Sequence, residues 1–116
     1  MDPTDKAPNG DRQVRNLSEM LQYQEKSIVS RMLVKNAGGS VTLFAFDTGE
    51  GLSEHTAPSD ALVIGVDGRA DISIGGKANT VGAGEALLLP MNVPHAVSPV
   101  GPFKMLLIMI RGDKAT

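Results

Sequence analysis

The chain has 116 residues, a formal net charge of -2, 41% hydrophobic content and no cysteine. That length suits one domain with one core. Its eleven Lys and Arg are scattered, which argues against nucleic acid or an anionic membrane as partner. The lack of cysteine excludes disulfides, thiolate metal sites and cysteine nucleophiles.

Residues 1–12 (MDPTDKAPNGDR) hold Met1 and Ala7 among prolines, a glycine and charges. Such a stretch buries nothing and reads as a mobile tail, with a single domain over 13–116. It has no apolar core of the kind a secretory signal needs. The run Met105–Ile110 is too short to span a bilayer. The expectation is a cytoplasmic protein.

Leu17 to Tyr23 is expected to make a short helical turn, capped by Asn16 or Ser18, with Leu17, Met20 and Leu21 on one face. From Ser27 onward short β-segments alternate with turns. Ile28–Val34 and Val41–Phe46 flank Asn36-Ala37-Gly38-Gly39. Ala61–Val66 runs into Asp67-Gly68, a pair typical of two-residue hairpins. Ala70–Ile74, a Gly75-Gly76 turn and an edge-like Lys77–Val81 follow. Ala86–Leu89 precedes a bend bracketed by Pro90 and Pro94, and His95–Ser98 and Phe103–Ile110 close the series.

Thirteen glycines, seven prolines and no long helical period predict an all-β barrel or sandwich. LVIGV, ALLL and MLLIMI are apolar on both faces. One face then lines the barrel interior, and the other meets a second sheet or a partner subunit. A homodimer is expected.

Two spacing patterns stand out. Gly49, His55, Ala57, Ala61 and Gly68 fit the frame G-x5-H-x-H-x3-E-x6-G without a gap. Gly84, Pro90 and His95 fit G-x5-P-x-G-x2-H-x3-N at its spacings, with Asn92 and Pro99 standing where that frame has Gly and Asn, positions that shape the turn. In these two frames, over about residues 40–111, the chain resembles the cupin superfamily. The resemblance implies a double-stranded β-helix, or jelly-roll barrel, and a metal site built from the two histidines and glutamate of the first frame and the histidine of the second. This chain keeps His55 and His95 but has Ala57 and Ala61 at the other two positions.

Two neutral imidazoles supply no charge and half a tetrahedral shell, whereas a catalytic zinc or non-haem iron takes three or more protein ligands. Asp60 is the nearest carboxylate in sequence, yet alternation turns it away if position 61 faces inward; a bulge would be needed to bring it back. A weakly held divalent ion (zinc, iron, manganese or nickel) on His55 and His95 is one expectation.

The other is a ligand pocket. If Ala57 and Ala61 face inward, so do Val63 and Gly65, and small residues leave space beside two histidines. A void the size of a methyl group costs about 1 kcal/mol. Either Phe44, Met91, Met105 or Met109 fills that space, or His55, Ala57, Ala61, Gly65 and His95 line a pocket for a small molecule. A histidine pair in one site would also weaken ligand binding below about pH 6.

Other arrangements are weaker. Ser53, Ser59 and Asp60 stand near histidines, but there is no nucleophile elbow. A sugar isomerase of the cupin type would need Tyr23, the single tyrosine, folded over the barrel mouth. The 3% aromatic content argues against sugar stacking. The leading expectation is a small-molecule-binding barrel. A metal-dependent oxygenase or isomerase comes second, and a non-catalytic structural dimer third.

Overall fold

The structure is a computed structural model and describes residues 13–111. The tail expected at 1–12, and residues 112–116, lie outside the described residues. Alternation of apolar and polar side chains lays out nine strands: β1 (Ile28–Asn36), β2 (Gly39–Phe46), β3 (Leu52–His55), β4 (Asp60–Asp67), β5 (Arg69–Ile74), β6 (Lys77–Gly82), β7 (Ala86–Leu89), β8 (His95–Pro99) and β9 (Phe103–Ile110). They form two antiparallel sheets, β1-β2-β9-β4-β7 and β3-β8-β5-β6. The result is the expected all-β barrel with one short helical turn, here a 3-10 turn at Leu17–Glu19. Asn16 caps that turn, its side chain accepting a hydrogen bond from the Ser18 N–H at 3.1 Å.

The core lies between the sheets. Phe46, Val63, Ile72, Phe103 and Met105 are its largest buried members, with Phe44, Leu107 and Met109 packed against them. Each is two residues from the next inward side chain on its strand, as the β period requires. Gly75 and Gly76, at φ 58° and 85°, turn β5 into β6, and both angles suit a two-residue hairpin of the primed type. β6 is an edge strand, as its polar sequence suggests.

Two readings change. Asp67-Gly68 is not a hairpin: β4 and β5 belong to different sheets, and the pair is a corner between them. Gly68 alone of the two has positive φ, 70°, and a Cβ there would lie 2.0 Å from the Pro102 carbonyl oxygen. The stretch Leu52–His55, which the apolar pattern does not mark as a β-segment, is a strand. It holds one apolar residue in four, and its place comes from pairing with β8.

The outer face of the five-stranded sheet carries Val41, Leu43, Leu106 and Ile64 together with Arg31 and Lys104, and the segment around the 3-10 turn covers part of it. Lys104 points outward from β9, yet is 5% exposed. Its Nζ donates to the Ser18 carbonyl and lies 4.7 Å from the centre of the Tyr23 ring. Arg31 reaches the Met20 carbonyl at 3.1 Å. The Tyr23 hydroxyl donates to Asp67 at 2.6 Å, and both burial and the neighbouring carboxylate push its pKa up. Leu43 and Ala45, beside Arg31 and Lys104 in register, are fully buried in consequence.

Candidate functional site

His55 ends β3 and His95 begins β8, and the two are direct partners in the antiparallel register. Residues opposite each other on adjacent strands carry their side chains on the same face. The two imidazoles accordingly meet edge to face, with ring centroids 4.4 Å apart and planes at 68°. His95 is buried, at 6% exposure, and His55 is open to solvent.

Each ring is held by its own backbone. Nδ1 of His55 lies 2.7 Å from the Ser53 carbonyl, and Nδ1 of His95 lies 3.1 Å from the Val93 carbonyl. A carbonyl oxygen can only accept, so each Nδ1 must carry a proton. In the neutral imidazole the proton is then spent, and Nε2 is left as a bare acceptor. Among the described residues neither Nε2 has a hydrogen-bond partner.

Two loops frame the pair, and they are stitched together. The Asn92 N–H donates to the Ala57 carbonyl at 2.9 Å. The Met91 N–H donates to Oδ1 of Asp60 at 2.8 Å. Asn92 takes a left-handed φ of 64°, a conformation that asparagine tolerates better than most residues, and so turns the chain from β7 toward His95. Asp60 is thereby committed to holding the β7–β8 loop. Among the described residues no group of three His, Cys, Asp or Glu comes together, and the side chains present do not fit a resident catalytic metal held by three or more protein ligands.

The remaining expected pocket residues are placed as follows. Ala57 is half-buried in the loop after β3. Ala61 is buried between its register partners Leu89 and Met109 and belongs to the core. At Gly65 a Cβ would lie 2.1 Å from the Gly82 carbonyl oxygen, so the missing side chain admits a close backbone approach from β6. The Gly65 N–H and carbonyl are bonded to Glu85 and Gly84. Tyr23, considered as an acid over the barrel mouth, is turned to Asp67 instead. The carbonyls of Ser53 and Val93, which fix both rings, had no signature in the sequence.

The family profile described as a cupin domain matches residues 42–110, which span β2 to β9 and include both histidines. The chain belongs to the cupin family. Solved cupin-like structures agree. A conserved protein of unknown function from Streptococcus pyogenes is 29% identical with a TM-score of 0.83, covering 88% of this chain and 90% of that one. A cupin 2 conserved barrel domain protein from Leptotrichia buccalis is 44% identical with a TM-score of 0.80; 84% of this chain is covered but 47% of that one, so this cupin spans about half of its length. A cupin superfamily protein from Desulfitobacterium hafniense is 26% identical with a TM-score of 0.83, over 87% and 93% of the two chains. Among curated proteins none matches the chain.

Proposed function

We propose that this cupin is a binding protein whose small organic ligand sits against the His55–His95 pair. One observation carries the reading. Both rings spend Nδ1 on a carbonyl two residues back, which leaves two acceptor nitrogens on neighbouring strands, one of them on a buried ring. A bound molecule with hydrogen-bond donors satisfies both acceptors at once, and a hydrogen bond of this kind contributes about 0.5–1.5 kcal/mol. Hydroxyl and amine groups suit two neutral acceptors; a carboxylate does not.

The same lone pairs suit a weakly held divalent ion, with the rest of its shell drawn from water and ligand. The test is a thermal-shift screen of polyols, sugars, amines and small acids against the wild type, His55→Ala and His95→Ala. It is run beside metal analysis of protein purified without a tag. Hits among donor-rich compounds that vanish in both variants support the binding reading. Near-stoichiometric zinc, iron, manganese or nickel would shift the account to a metal-dependent enzyme. Neither hits nor metal would leave a structural barrel.

A further inference from the structure

We propose that a cleft on the outside of the barrel, where the chain before and at the 3-10 turn meets β1, is a second binding site, and that it takes an oxyanion group carried on an alkyl chain. The cleft has a volume of about 440 Å³, within the range of about 300–1,000 Å³ that small-molecule sites occupy. Gln13, Arg15 and Met20 of the N-terminal segment line it together with four residues of β1, Arg31 to Val34. His55 and His95 stand on strands of the other sheet, so the two sites share no residue.

A regular strand sends alternate side chains to one side. β1 instead gives the cleft four residues in a row. It is an edge strand of its sheet, and its register with β2 slips between Met32 and Val34, leaving Leu33 without a partner. A bulge of this kind bends the strand and re-aims its side chains. Apolar Leu33 and Val34 thereby join Arg31 around one concavity.

The lining holds two guanidinium groups and no carboxylate, although Asp and Glu outnumber Lys and Arg in the chain. Arg31 is half-buried, and its Nη1 donates to the Met20 carbonyl at 3.1 Å. That bond pins the guanidinium at the cleft wall and leaves the rest of its donor fork to other acceptors. Two like charges lining one concavity repel, and an anion between them relieves the repulsion. The guanidinium fork matches a carboxylate or a phosphate group. The other walls are thioether and branched aliphatic. Met32 and Val34 are 53% and 54% exposed, which is apolar surface that an alkyl chain covers and a bare inorganic anion leaves wet. Methionine adapts its shape to such a chain.

The experiment is an amide nitrogen-15 NMR titration of the full chain with decanoate and with decyl phosphate, each below its micelle-forming concentration, beside decylamine and inorganic phosphate. Both alkyl anions are expected to shift the amides of Arg15, Met20 and Arg31 to Val34, and the tighter of the two identifies the head group. Decylamine and inorganic phosphate are expected to bind at least about ten-fold more weakly. Arg15→Gln, at an exposed position where folding should survive, and Arg31→Gln should each weaken the alkyl anions about ten-fold, the loss of one charge-assisted hydrogen bond. The proposal is overturned if neither anion binds, if decylamine binds as tightly, if the shifts are confined to the surroundings of His55 and His95, or if both arginine variants keep wild-type affinity.

Discussion

His55 and His95 face each other across two antiparallel strands, their rings 4.4 Å apart and each tied by Nδ1 to the carbonyl two residues before it. Backbone register brings the rings together, and backbone carbonyls orient them. The pair is therefore a property of the fold and should persist when surrounding side chains change. Asp60→Ala tests this. It removes the acceptor for the Met91 N–H and should lower stability by about 1 kcal/mol. The histidine side-chain resonances should stay close to their wild-type positions. A large movement of both would mean that Asp60 sets the pair's geometry.

Ala61 is enclosed by Leu89 and Met109 and is 5% exposed. Ala61→Leu inserts three carbons into a filled layer and should cost about 1–3 kcal/mol in urea unfolding. A stabilised variant would instead mark an open cavity beside the histidines.

Gly65 stands where β4 passes under the Gly82 carbonyl. A methyl group there meets that oxygen at 2.1 Å, and the obstacle is backbone that a rotamer change cannot move. Gly65→Ala should destabilise the fold by about 2 kcal/mol or more. A shift within experimental error would show that the β6–β7 turn yields easily.

Tyr23 links the N-terminal segment to the barrel through Asp67, and its pKa is raised first by burial and then by that carboxylate. The protonated phenol is thus favoured in the folded state. Its contribution is complete below the ordinary tyrosine value of about 10. It is lost as pH rises from there through the raised folded value. Wild-type stability should fall with pH above that point, and the Tyr23→Phe variant should lack this part of the fall. Identical alkaline profiles would detach Tyr23 from the effect.

Much of the fold was legible because alternation and turn chemistry agree over most of the chain. The apolar segments Ile28–Val34, Val41–Phe46, Ala61–Val66 and Phe103–Ile110 all became strands within a residue or two. β3 was not legible, since Leu-Ser-Glu-His has one apolar residue and its strand form depends on β8. Asp67-Gly68 misled because a turn pair says how tightly the chain bends, and not whether the next strand stays in the same sheet. At the site, motif spacing picked out His55 and His95. The carbonyls that orient them could not be read, because backbone oxygens are the same at every residue. Lys104 is one of the scattered cations of the sequence, and nothing beside it in the chain marks it as buried. Its burial depends on a segment more than eighty residues away in sequence.

The account turns on two Nε2 atoms free to accept, and nitrogen-15 NMR of the histidine side chains at neutral pH observes them directly. Both rings are expected to carry the proton on Nδ1, with two unprotonated Nε2 signals that shift together when a donor-rich ligand from the screen is added. An Nε2–H on either ring of the neutral pair would contradict it.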